Sequence, residues 1–352
     1  MELRIVAEEE TVGVIGVLTA GGDCPGLNAV IRGVVGRANE RGAEVLGLLN
    51  GWEGLLKDNT MPLNRDKVRG ILGRGGTMLG TSRMDPYFHG EGLKSCDGTL
   101  SRNGIDRIIV IGGDGTLRSA MRLANEGLQI IGVPKTIDND ICGTDITFGF
   151  RTAVQIATDA VDRLTTTAEA HNRVIVVEVM GRTKGWIATH TGLAGGADYI
   201  LVPEHEYDID HVVEVLRRRH RSGHKYSIVV VAEGIDPPPG YELAEMKKDA
   251  FGFDRLGGVG YAVAAAIEDR TKFETRVSVL GHIQRGGTPQ ASDRVLATRL
   301  GVAAADFAVA NMTNVMVGVR GTEIVPVPLE EATAGIRGVP EDLYATAQTF
   351  FG

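Results

Sequence analysis

Three short segments place glycine, carboxylate and hydroxyl residues where they could handle phosphate groups. They are TAGGDCPGLN at residues 19–28, GGDGT at residues 112–116 and PKTIDND at residues 134–140. Glycines let backbone N–H groups face a phosphate at the amino terminus of a helix, and an aspartate among glycines, such as Asp114, can hold Mg²⁺ through oxygen. The first segment is not a Walker A loop, because it lacks the lysine and the Ser/Thr that end such a loop.

The third segment also offers groups for proton transfer. Asp138 and Asp140 are two residues apart and follow Lys135 and Thr136, a set that can supply a general base, a second acid and donors to a transferred phosphate. A turn rich in Asx residues would explain them without chemistry, as an N-cap would explain Asp114. Because two phosphate-type loops precede this segment, we favour the catalytic interpretation.

Arginines and polar residues elsewhere in the chain could bind a phosphorylated sugar. Arginine grips a phosphate dianion through two hydrogen bonds, and a carboxylate or a neutral histidine suits sugar hydroxyls. A single arginine is more often a solvated or salt-bridged surface residue, but Arg276 and Arg285 bracket an apolar strand and a glycine turn. The candidates are Arg83, Arg173, Met180, Gly181, Arg182, Glu233, Arg276, His282 and Arg285.

The elements that must position these residues are short, nearly continuous apolar runs. They cover residues 12–18, 107–111, 173–177 and 227–231, and such runs are typical of buried parallel strands. A glycine or charged turn and a helix-like stretch follow each run, which predicts α/β layers with sheets covered on both faces. Sites in such folds form where loops leave the carboxyl ends of strands.

Composition narrows the class of protein. The 352 residues, 43% of them hydrophobic, are enough for two domains. The net charge of -8 does not favour nucleic acid as a partner. Three cysteines without a CxxC pair argue against disulfides and zinc and favour the cytoplasm. No apolar run reaches the roughly 18 residues of a membrane span, and the first residues lack a signal-peptide pattern.

Taken together, these segments resemble the phosphofructokinase family from about residue 13 to about residue 301. The motifs GGDCPGLN, GGTMLGTSR, GGDGT, PKTIDND, VEVMGR and LGHIQRGG occur in that order at compatible spacing. The resemblance implies an α/β fold of two three-layer αβα domains with largely parallel sheets and an active site in the interdomain cleft. It implies a donor domain of residues 1–149 plus 262–312 and a fructose 6-phosphate domain of residues 150–261 plus 313–352. A homotetramer, or a homodimer, is implied by the resemblance alone.

The resemblance also implies roles for the candidate residues. Asp138 would be the general base for the 1-hydroxyl of fructose 6-phosphate, with Thr136 and Asp140 beside the moving phosphate, and Arg83 and Arg182 would neutralise charge during transfer. The donor and its Mg²⁺, held by Asp114, would contact Gly22, Arg83, Asp114, Gly115, Thr116 and Lys135. The sugar phosphate would contact Met180, Gly181, Arg182, Glu233, His282 and Arg285, with Arg173 and Arg276 reaching from a neighbouring subunit.

Two positions bear on the phosphoryl donor. Family members that use ATP typically have glycine after the metal aspartate and before the TIDND threonine, whereas pyrophosphate users have aspartate and lysine there. This chain has Gly115 and Lys135, one of each type. A side chain at position 115 would occupy space that the α-phosphate and ribose of ATP must cross, whereas Lys135 adds a charge that either donor tolerates. We therefore predict ATP-dependent phosphorylation of fructose 6-phosphate in glycolysis, with a pyrophosphate-dependent reaction as the alternative.

Two other functions stay open at this point. The GGDGT motif alone would suit a kinase of the same superfamily with another acceptor, although Glu233, His282 and Arg285 argue against it. A catalytically silent family member could bind sugar phosphate or regulate a partner. Such a protein would be expected to have lost its base or its metal ligand, and this chain keeps Asp138 and Asp114.

Overall fold

The computed structural model describes residues 13–82, 84–241 and 257–352. Its strands are β1 (Val14–Thr19), β2 (Glu44–Leu48), β3 (Thr60–Leu63), β4 (Ile105–Gly112), β5 (Ile130–Thr136), β6 (Phe148–Gly149), β7 (Val174–Val179), β8 (Tyr199–Leu201), β9 (Ser227–Ala232), β10 (Thr275–Val279), β11 (Val315–Arg320) and β12 (Glu323–Pro328). Its α-helices are α1 (Leu27–Glu40), α2 (Trp52–Lys57), α3 (Leu93–Asn103), α4 (Asp114–Asn125), α5 (Phe150–His171), α6 (Trp186–Ala194), α7 (Ile209–Arg221), α8 (Val259–Thr271), α9 (Ala291–Val309), α10 (Leu329–Ala332) and α11 (Glu341–Gln348). A 3₁₀ helix covers Gly281–Gln284.

The described residues form two units, each with its own sheet. The first unit comprises the chain up to Thr136, Ile141–Gly149 and Gly286–Ile336, and the second comprises Ile137–Asp140, Phe150–Arg285 and Arg337–Gly352. Within the first unit the strand order is β12-β11-β5-β4-β1-β2-β3, with β6 also paired to β5. Within the second unit the order is β10-β7-β9-β8, and all of its pairs are parallel.

The apolar runs form the centres of both sheets. The four runs identified in the sequence correspond to β1, β4, β7 and β9, and every residue of β7 and β9 is buried. Helices on both faces remove these strands from water, which is why their residues do not alternate between apolar and polar. Among the described strands of the first sheet, only β2–β3 and β11–β12 pair antiparallel. The predicted α/β class with largely parallel sheets is confirmed.

The division of the chain differs from the domain boundaries that we predicted. Residues 262–285 belong to the second unit, because β10 pairs with β7 along its whole length. Residues 313–336 belong to the first unit, because β11 pairs with β5. Strand pairing between distant segments therefore sets both boundaries.

Among the described residues, no helix is both long and apolar enough to cross a lipid bilayer.

Helices α1 and α9 approach closely through glycines. A Cβ atom added at Gly33 would lie 2.7 Å from the Thr298 carbonyl oxygen, and one added at Gly301 would overlap the carbonyl oxygen of Val30. Backbone atoms cannot swing aside as side chains do, so both positions require glycine. This pair of helices packs against the sheet that carries the loop after β1.

We predict that Gly301→Ala lowers the free energy of unfolding by about 1–3 kcal/mol, because the added methyl forces α1 and α9 apart. Gly36→Ala on α1 is the matched control. A Cβ there meets no atom within 4 Å, so the better helix propensity of alanine should raise stability by about 0.5–1 kcal/mol. Denaturant unfolding of both variants measures the difference, and equal stabilities would contradict the close packing.

Candidate active site

Three loops of the first unit converge where β1, β4 and β5 end. The Lys135 ammonium at the end of β5 donates a hydrogen bond to the carbonyl oxygen of Gly22 in the loop after β1. A Cβ added at Gly21 would lie 3.3 Å from Thr116 Oγ1 and 3.5 Å from Lys135 Nζ. The structure therefore brings Gly22, Thr116 and Lys135 together, and the Lys135 charge is buried at the meeting point, with 4% of the residue exposed.

The loop after β1 is held from its other side by the GGTMLGTSR segment. Thr81 Oγ1 donates to the Gly21 carbonyl oxygen at 2.6 Å, and the Gly21 N–H donates to the Ser82 carbonyl oxygen at 3.1 Å. Gly21 has a φ of 80°, a conformation that glycine adopts without strain. Arg83 is next in sequence but lies outside the described residues, so its role stays a prediction.

The GGDGT loop presents a carboxylate at the start of a helix. Asp114 is the first residue of α4, and Arg118 Nε lies 3.0 Å from each of its carboxylate oxygens. This hydrogen bond is the main cause of the raised pKa of Arg118. A Cβ added at Gly115 meets no atom within 4 Å. Position 115 thus faces open space in the first unit.

The chemistry of these residues suits Mg²⁺, which the family resemblance implies. In the described parts of the chain, no group of three or more His, Cys, Asp or Glu residues could hold a metal by itself. Mg²⁺ does not need one, because it usually keeps several waters and is held by one or two carboxylates together with substrate phosphates. Asp114 supplies a carboxylate of this kind next to the glycine loops.

In the second unit, three segments lie side by side where β7, β9 and β10 end. The Arg182 N–H donates to Glu233 Oε1 at 3.0 Å, and the Glu233 N–H donates to the Val179 carbonyl oxygen at 2.9 Å. The Leu280 N–H donates to the Glu178 carbonyl oxygen at 3.0 Å. The structure thereby brings six predicted sugar-phosphate residues to one edge of the sheet: Met180, Gly181, Arg182, Glu233, His282 and Arg285.

The approach of the first two segments requires glycine. A Cβ added at Gly234 would overlap the carbonyl oxygen of Arg182. Gly181 has a φ of 145°, which L side chains rarely adopt, and the Arg182 φ of 53° is left-handed. The chain therefore turns sharply at the end of β7, and this turn presents the Arg182 amide to Glu233.

Glu233 is an unusual carboxylate because its pKa is raised to about 7. Burial is the largest cause, and the negative charge of Asp138 adds to it, whereas hydrogen bonds from the amides of Arg182 and Gly181 oppose the shift. The effect of Asp138 on this pKa indicates that the TIDND loop lies within electrostatic reach of Glu233. Asp138 and Asp140 are themselves buried, with 4% and 6% of each residue exposed.

Arg173 and Arg276 lie elsewhere in the second unit. Both bind the carboxylate of Glu274, Arg173 through an Nη2–Oε1 distance of 2.8 Å. The hydrogen bond from Arg173 is the main cause of the lowered pKa of Glu274. Arg173 immediately precedes β7, whose six residues span about 20 Å, so the strand separates it from Gly181. Both arginines thus lie away from the other sugar-phosphate candidates of their own chain, and the prediction that they serve a neighbouring subunit stays a prediction.

Two residues that contact these loops were not among the site residues predicted from the sequence. Glu178 is 1% exposed, and its carboxylate accepts hydrogen bonds from the amides of Gly258 and Gly260 at 2.7–3.0 Å, which fixes the start of α8. A charged residue inside an apolar strand was the available signal. Arg337 contacts the backbone of the TIDND loop, and no motif marks it.

The chain is similar to known proteins along most of its length. A family model described as phosphofructokinase matches residues 14–308. A pyrophosphate–fructose 6-phosphate 1-phosphotransferase of Amycolatopsis methanolica is 53% identical, and an ATP-dependent 6-phosphofructokinase of Corynebacterium efficiens is 51% identical; each alignment covers 96% of this chain and 99% of the relative. The structure of Pichia pastoris phosphofructokinase in the T-state is 32% identical with a TM-score of 0.80, and the alignment covers 97% of this chain but 37% of that longer chain. Relatives of about equal similarity therefore carry the names of both donors.

The raised pKa of Glu233 predicts a pH-dependent stability. Between its ordinary value of 4.5 and about 7, the folded protein keeps a proton on Glu233 that the unfolded chain has lost, so stability falls as pH rises through this window. Glu233→Gln removes the ionisation. The free energy of unfolding of the Glu233→Gln protein, relative to that of the unmodified protein, should therefore increase from pH 5 to pH 8 by on the order of 2 kcal/mol.

Thermal unfolding at several pH values measures this difference. Glu323→Gln, which replaces an exposed carboxylate at the start of β12, is the control, and its effect should stay constant across the same range. A pH-independent effect of Glu233→Gln would contradict the raised pKa.

Proposed function

The chain belongs to the phosphofructokinase family, and we propose that it transfers the γ-phosphoryl group of ATP to the 1-hydroxyl of fructose 6-phosphate, a step of glycolysis. The observation that carries the proposal is the grouping of Asp138, Glu233 and the Arg182 turn in the second unit. In this proposal Asp138 is the proton acceptor, Glu233 the carboxylate for sugar hydroxyls and Arg182 the cation. These are the groups that phosphoryl transfer to a sugar hydroxyl requires.

In this proposal Asp138 acts as the general base. Its carboxylate takes the proton of the 1-hydroxyl, the freed oxygen bonds to the γ-phosphorus, and the bond from phosphorus to the ADP oxygen breaks. Arg182 and Arg83 neutralise charge on the transferred group, and Thr136 donates to it. Asp140 lies beside the moving phosphate. Positioning and charge stabilisation account for most of the catalysis in reactions of this class.

The remaining sugar-phosphate residues serve recognition. Glu233 and His282 suit sugar hydroxyls, while Arg285 suits the 6-phosphate. Arg173 and Arg276 complete the phosphate site of a neighbouring copy, which fits their separation from the other candidates in their own chain. The proposed assembly is therefore a homotetramer, or at least a dimer.

The first unit would hold the donor. The terminal phosphates would contact Gly22, Thr116 and Lys135, whose buried ammonium offers a positive charge to either donor. When bound by Asp114, Mg²⁺ would neutralise part of the donor's negative charge. The open space at Gly115 supports ATP, because a nucleotide needs room beyond the terminal phosphates that pyrophosphate does not. The pyrophosphate-dependent reaction is the second candidate, favoured by Lys135 and by the name of the Amycolatopsis methanolica relative.

We predict that Asp138→Asn lowers kcat by about 10²–10⁴, the usual contribution of a general base. Binding of fructose 6-phosphate, measured by titration, should change far less, because the recognition residues stay in place. Asp159→Asn on the exposed face of α5 is the control and should leave kcat unchanged. An Asp138→Asn protein with full kcat would exclude Asp138 as the base.

We predict that Gly115→Asp lowers kcat/KM for ATP by at least about tenfold, or about 1.4 kcal/mol of transition-state stabilisation, because the side chain enters the space that the nucleotide needs. The kcat/KM of any residual pyrophosphate reaction should fall less. Gly36→Asp is the control, because Gly36 is also a helical glycine and a Cβ added there meets no atom within 4 Å. Unchanged use of ATP by Gly115→Asp would contradict the steric argument.

A further inference from the structure

Arg337 lies between α10 and α11 and binds the backbone of the TIDND loop. Its Nη2 donates to the carbonyl oxygen of Asn139 at 3.0 Å, and its backbone N–H donates to the carbonyl oxygen of Asp140 at 2.8 Å. These carbonyls have left strand β5, and their residues are buried, with 2% of Asn139 and 6% of Asp140 exposed. Buried backbone carbonyls outside a sheet ladder need another donor, and Arg337 supplies it for two in succession.

The two hydrogen bonds act at a turn in the loop. Asn139 has a φ of 54°, the left-handed region that non-glycine residues seldom adopt. This turn separates Asp138 from Asp140. Such a backbone persists only where the surroundings fix it, and Arg337 fixes the peptide units that follow Asn139. The direction of the Asp138 side chain depends on that backbone.

Arg337 is itself held firmly. Its guanidinium carbon lies 4.4 Å from the centre of the Trp186 ring, and Trp186 Nε1 donates to the Arg337 carbonyl oxygen at 3.0 Å. Two residues further, the Val339 N–H donates to Glu204 Oε1 at 3.1 Å, and the same carboxylate accepts from the Gly185 N–H at 2.9 Å. Trp186 is buried, with 5% exposed. A planar guanidinium can stack on an indole and still donate in its own plane, which an ammonium cannot.

We propose that Arg337, with its guanidinium stacked on the Trp186 ring, is a positioning residue that sets the orientation of Asp138 by donating to the carbonyls of Asn139 and Asp140. It lies outside the residues that the family model matches, 14–308. The inference rests on the proposed function, because that function assigns Asp138 as the base.

The test compares Arg337→Met with Arg337→Lys. Methionine keeps an apolar chain over Trp186 but cannot donate to Asn139, so kcat should fall by about 10- to 100-fold, as misplacement of a catalytic group by a fraction of an ångström to an ångström does. The KM for fructose 6-phosphate should change less than about threefold, because the recognition residues are not touched. Lysine retains one donor and should restore part of kcat.

Hydrogen exchange measures how firmly the TIDND loop is held, independently of enzymatic activity. Backbone amides of residues 137–142 should exchange faster in Arg337→Met than in the unmodified protein, whereas Arg320→Met should change neither exchange nor kcat, since Arg320 is exposed and pairs with Glu331. Trp186→Phe removes the N–H that donates to the Arg337 carbonyl oxygen, so it should also lower kcat and speed exchange at residues 137–142. It replaces Arg337→Met in the test if that variant does not fold.

Reduced kcat together with faster exchange at residues 137–142 supports the proposal. Full kcat, or unchanged exchange in that segment, overturns it. If the unmodified protein phosphorylates fructose 6-phosphate with neither ATP nor pyrophosphate, the proposed function fails, and the exchange data still decide whether Arg337 holds the loop.

Discussion

Polar groups removed wholly or partly from water at the carboxyl ends of parallel strands need hydrogen-bond partners, and this constraint shapes the site loops of both units. In the first unit, Lys135 at the end of β5 binds the Gly22 carbonyl of the loop after β1. In the second, Glu233 after β9 accepts the Arg182 amide after β7. Each interaction joins loops that are distant in sequence. The same contacts that satisfy these polar groups therefore hold the loops of each unit together.

The charges at these edges suit phosphoryl transfer. Asp114 is ion-paired with Arg118 at the start of α4, and the buried Lys135 ammonium lies among glycine loops. Glu233 has a pKa raised to about 7, mainly because it is buried. A carboxylate so poorly solvated gains from hydrogen bonds to ligand hydroxyls, because these replace the water it has lost. Cations thus lie in the loops that we propose to hold the donor, and a poorly solvated carboxylate lies among the predicted sugar-phosphate residues.

Much of this arrangement was predictable from the sequence, and the exceptions have physical causes. Local sequence patterns predict the centres of both sheets and the loops after β1, β4 and β5, because β-branched runs indicate strands and glycines indicate turns. Strand β10 belongs to the second unit because it pairs with β7, and β11 belongs to the first because it pairs with β5. Local sequence patterns do not predict such long-range pairing. Arg337 is one arginine in a loop, and its contact with Asn139, on which our proposal rests, cannot be read from the sequence. The donor stays open between Gly115 and Lys135 because relatives of about 50% identity carry both names.

The most direct test of the account is the kcat/KM for phosphorylation of fructose 6-phosphate by the unmodified protein, measured with ATP and with pyrophosphate in parallel and with Mg²⁺ in both. We predict a strong preference for ATP, because Gly115 leaves open the space that the nucleotide must cross. A strong preference for pyrophosphate would contradict it and would mean that the charge of Lys135 outweighs the open space at Gly115.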